Sequence, residues 1–475
     1  MRPHLSTAAG AIAVVLAVGL SGCAAPGSGS ASGSSASGSA SASAGASAAV
    51  PLTPERQDQL QQTLDKARKS FGFPGAQVGV WTADGSWIGT TGSATPGQSV
   101  PITKDMSTRI GGITSTFTGT VVLQLAAKKQ VSLDDAIGKY VPGVPNANTA
   151  TLANLLSMTS GIPNYTENDA ASAAYFANPD QAWEPQQIVD SIKTQPADFP
   201  AGARYEYSDT NAVLLGMVIE QVTNQSFADA LQSHILAPLG LTHTSFPGSS
   251  AELPTPHLSG ITNKGQPTGQ TTNATDWNPS WAFTYGAMIS TLDDLKVWAK
   301  ALATGEGLLN DAWQRKRIES LQPTVAGNAQ ELSYGYGVRQ LNGWIGNTGE
   351  IPGYSTVSFY HPELKSTLVV MVNSDVPTLF RVSPATAIAG AMFPILEGKP
   401  PETESPVASA SSAASPSGSA SGSASESGSA SPSVSAGETA PGAQESPGTP
   451  SPTETTAELA PSDTGEAVPQ DQPTP

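Results

Sequence analysis

The chain has 475 residues, 22 Lys and Arg against 39 Asp and Glu, a formal charge of −17 at neutral pH and a single cysteine. With no cluster of basic residues, that balance excludes nucleic acid and anionic lipid headgroups as the main partner, and a lone cysteine excludes an internal disulfide. The charge is uneven: removing the ten acidic residues of 400–475 and the single basic residue Arg2 leaves −8 on residues 51–399.

Residues 1–22 open with Arg2 and His4, run through an apolar stretch from Ala8 to Leu20 and reach Leu20-Ser21-Gly22-Cys23. The stretch is too short and too rich in alanine to span a bilayer, so it reads as an export signal. Leu-Ser-Gly-Cys looks like a bacterial lipobox, in which the cysteine is acylated and becomes the new N-terminus. Cys23 is therefore the expected lipidation site, and lipid anchoring on the extracytoplasmic face of the cell membrane is the expected location. From residue 24 to 50 the sequence is almost entirely Ser, Ala and Gly. It cannot bury enough apolar surface to offset its ordering entropy, so with Cys23 it forms a disordered tether (23–50) with a mean reach on the order of 30 Å. The tail 400–475 is acidic, rich in Ser, Ala and Pro, free of Lys and Arg, and disordered by the same reasoning.

Residues 51–399 form the folded part, long enough for two subdomains. Thr53-Pro54 supplies a helix N-cap and first-turn proline, and Leu60, Leu64, Ala67 and Phe71 recur at helical spacing before the break at Gly72-Phe73-Pro74-Gly75. A strand from Ala76 to Thr82 turns at Asp84-Gly85 into a second from Ser86 to Thr91. Val121 to Ala127 continues an apolar helix, Ser366 to Asn373 reads as a late strand, and Ala385 to Leu396 as the closing helix.

Four stretches carry the chemical information. They are Arg109-Ile110-Gly111-Gly112-Ile113-Thr114-Ser115-Thr116-Phe117-Thr118, Leu155-Leu156-Ser157-Met158-Thr159-Ser160-Gly161-Ile162, Tyr207-Ser208-Asp209 and Asn347-Thr348-Gly349. In this order they resemble the serine β-lactamase and penicillin-binding D-Ala-D-Ala carboxypeptidase superfamily, in particular its class C-like branch. That resemblance runs collinearly over residues 51–399. It implies a mixed α and β, β-lactamase/transpeptidase-like fold: an antiparallel sheet flanked by helices (about 51–111 and 291–399) with an all-helical subdomain (about 112–290).

It also implies a site, and the site is altered. Where the family has a nucleophilic serine followed one helical turn later by a lysine, this chain has Gly112 and Ser115. Asp209 stands at the asparagine position beside the retained Tyr207, Asn347 stands at the basic position before the retained Thr348 and Gly349, and Met158 replaces a histidine. None of the thirteen lysines has a serine three residues before it, and residues 51–399 contain no Gly-x-Ser-x-Gly, so no shifted register restores a nucleophile. Acyl transfer needs an activated hydroxyl, a proton acceptor, a proton donor and an oxyanion hole. The first is missing at its family position, and the three altered positions leave the site about two units more negative than the family pattern. No cofactor is implied, and His234, His243, His257 and His361 lack metal-ligand spacing.

The expectation is a cell-envelope lipoprotein without catalytic activity, using its cleft to bind or scaffold. Its partners are the membrane through Cys23 and peptidoglycan or an envelope protein, with Tyr207, Thr348 and Gly349 as binding residues. The alternatives are an active serine hydrolase with rewired residues, Ser115 serving as displaced nucleophile, and a surface protein in which the tails matter more than the cleft.

Overall fold

Thr53 Oγ1 accepts from the Arg56 N–H at 3.4 Å, Pro54 fills the first turn, and the helix Pro54–Phe71 closes on Gly72 in the left-handed region, with Leu60, Leu64 and Ala67 buried. These are the sequence signals of a capped amphipathic helix acting where they were expected. The computed structural model describes residues 50–324, 332–379 and 381–399. The export signal, Cys23, nearly all of the tether and the acidic tail lie outside the described residues. No helix among the described residues is long and apolar enough to cross a membrane.

The strands Gly75–Thr82 and Gly85–Gly92 pair in register from Thr82 with Gly85 to Gly75 with Gly92, as the Asp84-Gly85 turn predicts. They are one end of an eight-stranded sheet ordered 85–92, 75–82, 366–372, 354–361, 344–351, 338–341, 333–335 and 322–323. Every pairing is antiparallel. The late strand ends at Val372, and the closing helix spans Pro384–Leu396. Both faces of the sheet are covered. Leu368, Val370 and Val372 pack with the first and last helices, while Val369 and Met371 of the same strand join the second core with the helix Leu292–Thr304. This strict alternation is the period-two geometry of a strand buried on both sides.

That second core runs without a break into the helical part, taking in Val121, Val122 and Leu125 of the central helix and Leu214, Leu215 and Val218 of the helix Asp209–Thr223. The described residues therefore lie in one compact unit, with the sheet and the helices sharing apolar packing.

The central helix, Thr114–Ala127, is buried all round despite carrying five Thr and Ser residues. Burial is tolerated because the hydroxyls are bonded. Thr116 Oγ1 takes the Trp298 indole N–H at 2.9 Å, Thr118 donates to the Thr284 carbonyl at 2.7 Å, and Thr120 accepts from the Arg317 guanidinium at 2.7 Å. Phe117 stacks on Trp298 with ring centroids 3.6 Å apart. The helix is thus a rigid post, and the candidate site stands at its N-terminal end.

Candidate functional site

One 3₁₀ turn, Gly111–Ile113, leads into the central helix and lies against the strand Trp344–Ile351. Two glycines permit that approach. Gly111 has φ +51°, and a Cβ there would meet the Glu350 backbone nitrogen at 2.5 Å; a Cβ on Gly349 would meet the Ile110 carbonyl oxygen at 1.9 Å. Gly112 is different. It lies outside the left-handed region, and a Cβ on it would point to the Thr348 carbonyl oxygen at 3.1 Å and the Tyr207 hydroxyl at 3.6 Å. The first two glycines are required by backbone contact, whereas the third leaves space that a side chain could occupy.

Gly112, Tyr207, Asn347 and Thr348, up to 236 residues apart in sequence, meet at the floor of one cleft of about 540 Å³. Tyr207 precedes the helix Asp209–Thr223, and burial together with the nearby Asp209 carboxylate holds its hydroxyl well above the ordinary tyrosine range. It therefore stays protonated at physiological pH and can act as a hydrogen-bond donor. Gly349 packs directly behind Thr348 against the Ile110 backbone, where a Cβ would meet the carbonyl oxygen at 1.9 Å.

Ser115 is also behind the floor. It is 4% exposed, and its hydroxyl donates back to the Gly112 carbonyl at 2.8 Å. Asn347 Nδ2 reaches the same carbonyl at 3.2 Å and Ser115 Oγ at 3.4 Å, while its Oδ1 accepts from the Thr348 N–H at 2.9 Å. A closed knot of neutral groups fills the region in which acyl-transfer chemistry would need a basic amine.

Asp209 is the first residue of its helix and is 8% exposed. Its Oδ2 accepts from Thr166 Oγ1 at 3.0 Å, and its backbone N–H donates to Asn164 Oδ1 at 3.1 Å. Burial pushes its carboxyl up to about 6, against the opposing effects of hydrogen bonding from Tyr207 and Thr166 and the charge of Lys264. Such a shift marks desolvation without a full counter-charge.

The walls bring groups that no motif announced. Glu167, Lys264, Arg339 and Glu350 line the cleft, with Phe176, Trp281 and Tyr285 on the aromatic side. Lys264 bridges Glu350 at 2.7 Å and Asp375 at 3.4 Å. Charges of both signs therefore line the cleft, Asp209, Glu167 and Glu350 against Lys264 and Arg339. Met158, at the family histidine position, is buried with φ +58°, and its sulfur accepts from Asn211 Nδ2 at 3.2 Å. Of the histidines, His234 bonds Gln124 at 2.8 Å and His361 packs edge-on against Trp344, both away from the cleft. Among the described residues no group of three or more His, Cys, Asp or Glu is placed to hold a metal ion.

An antiparallel sheet backed by terminal helices, with a cleft where a buried helix, a Tyr-bearing helix start and a sheet strand converge, defines a member of the β-lactamase/transpeptidase-like superfamily. The sequence pattern of the Beta-lactamase family matches residues 60–393, and the chain belongs to that family. It is 25% identical over 278 residues to protein PbpX of Bacillus subtilis strain 168, covering 58% of this chain and 63% of that protein. Protein flp of Staphylococcus aureus strain NCTC 8325 / PS 47 is 24% identical over 331 residues, covering 68% of this chain and 64% of the relative. The chain thus spans somewhat under two thirds of the length of both. Among solved structures, a D-stereospecific amidohydrolase from Streptomyces sp. superposes with a TM-score of 0.64 at 30% identity, covering 71% of this chain and 98% of that one.

Proposed function

We propose that this protein is a non-catalytic member of its family, tethered to the cell envelope through Cys23, that uses the cleft to bind a ligand or partner. The observation that carries this is Gly112: the floor around it is formed and the Tyr207 hydroxyl is in reach, while the atom that would attack a carbonyl is absent. Two further observations support it. Ser115 spends its hydroxyl on its own helix and sits 4% exposed, so it has neither the access nor the alignment of a displaced nucleophile. Asn347 and Ser115 bond to each other and to the Gly112 carbonyl, so neutral groups stand at the two positions where the family carries its bases. Peptidoglycan fragments or an envelope protein are the partners this location implies.

The test is turnover. Purified protein is assayed against a chromogenic cephalosporin, a p-nitrophenyl ester and a D-amino acid amide beside an active family member. Rates at the buffer background are expected for all three; hydrolysis of any one that survives repurification and vanishes in a Tyr207→Phe variant would overturn the proposal.

A further inference from the structure

Asp209 is a charge without an ionic partner. Among the described residues no Lys, Arg or His side chain comes within ion-pair distance of its carboxylate, and the nearby cation Lys264 is held by Glu350 and Asp375. Its polar neighbours are hydroxyls, those of Thr166 and Tyr207. The helix that it begins supplies only partial positive charge. A carboxylate nine-tenths buried in this way carries a desolvation cost that a cation would relieve.

The surroundings favour the same sign of charge. Tyr207, Tyr285 and Trp281 line the cleft beside Asp209, and the faces of such rings attract cations. Glu167, next to Thr166, adds a second carboxylate at the exposed rim. The floor contributes no competing cation, since residues 112, 115 and 347 are Gly, Ser and Asn. Arg339 and Lys264 also line the cleft, but neither is bonded to Asp209.

We infer that the cleft binds the ammonium group of an amine-bearing ligand, with Asp209 as its charge partner, Glu167 at the rim and the Trp281 and Tyr285 side chains against its carbon atoms. The inference rests on the reading of the cleft as a binding site. A volume of about 540 Å³ falls within the range of small-molecule sites, which admits either a small free amine or the N-terminus of a short peptide.

The experiment is calorimetric titration of the full-length protein with n-butylammonium, with n-butanol as a neutral match, and with an alanine tripeptide whose N-terminus is free or acetylated. Saturable binding of at least one free amine is expected, with no binding of butanol and a loss of about tenfold or more on acetylation and in an Asp209→Asn variant, corresponding to about 1.4 kcal/mol. A Glu167→Gln variant should lose severalfold and serves as the second probe of the site if Asp209→Asn does not fold. Tighter binding of the tripeptide than of butylammonium assigns a peptide N-terminus, and equal binding assigns a small amine. No binding of either free amine, equal binding of the acetylated peptide, or full affinity in both variants would overturn the inference. Mass spectrometry of the same samples separates the two claims: cleaved tripeptide contradicts the absence of catalysis and leaves the ammonium site standing.

Discussion

The carbon that Gly112 lacks would stand 3.6 Å from the Tyr207 hydroxyl oxygen. The phenol faces the position of the family's nucleophile, so the surroundings of that position are formed although Gly112 carries no side chain. The only tight contact of the missing carbon is the Thr348 carbonyl at 3.1 Å, which a shift of a few tenths of an ångström relieves.

Adjacent glycines should therefore respond in opposite ways. Gly111→Ala puts a side chain at φ +51° against the Glu350 backbone and should cost more than about 2 kcal/mol. Gly112→Ser has space and a favourable backbone and should change stability by less than about 1 kcal/mol. Urea denaturation of both variants checks the contrast, and comparable losses would show that the floor has no room for a side chain.

Asp209 makes stability depend on pH. The groups acting on it are Tyr207, Thr166, Lys264 and Glu167, and it in turn acts on the Tyr165, Tyr285 and Tyr334 hydroxyls. Its folded value of about 6 lies above the unfolded value of about 3.9, so folding favours the protonated form. Its stabilising effect is fully present below about pH 4 and is lost as pH rises through 6. Asp209→Asn is expected to be more stable than the natural protein at pH 7.5, by about 1–3 kcal/mol, with the difference closing toward pH 4. Denaturant titrations at four pH values from 4 to about 7.5 measure it; a variant less stable at every pH contradicts the burial cost.

Lys264 clamps the cleft loop to the sheet through Glu350 and the fully buried Asp375 side chain. Burial raises the Asp375 carboxyl and Lys264 opposes that shift. Lys264 and Glu350 keep 35% and 38% of their side chains in solvent, so Lys264→Met should cost about 2 kcal/mol, less than a fully buried pair. Adding Asp375→Asn should recover part of the loss, because no buried charge is then left unpaired. A double variant with the plain sum of both single losses would show that the pair is not coupled.

Much of the scaffold was legible because its signals are local. Thr53-Pro54, the Leu60 and Leu64 spacing and Gly72 define a helix by capping and periodicity alone, and Asp84-Gly85 defines a hairpin. The floor of the cleft was legible only by resemblance, since nothing in the spacing of Gly112, Tyr207 and Asn347 announces that they meet. The need for glycine at 349 was not legible either, because the Ile110 backbone that a Cβ there would strike is 239 residues away in sequence. Lys264, Arg339 and Glu167 were not found at all. They reach the cleft from a loop, a neighbouring strand and a short 3₁₀ turn, positions set by tertiary packing. Lys264, alone between Asn263 and Gly265 in a polar loop, offered at most an isolated cation as a hint.

The most direct test of the central claim, that the acyl-transfer chemistry is gone while its frame remains, is covalent labelling. The natural protein and a Gly112→Ser, Ser115→Lys double variant are incubated with a fluorescent penicillin and a fluorophosphonate, then read by intact mass and peptide mapping. No adduct on the natural protein is the predicted result, and labelling of the double variant at position 112 would show in addition that the cleft still fits an acyl donor. A stoichiometric adduct on the natural protein, at Ser115 or any other cleft serine, would contradict the account.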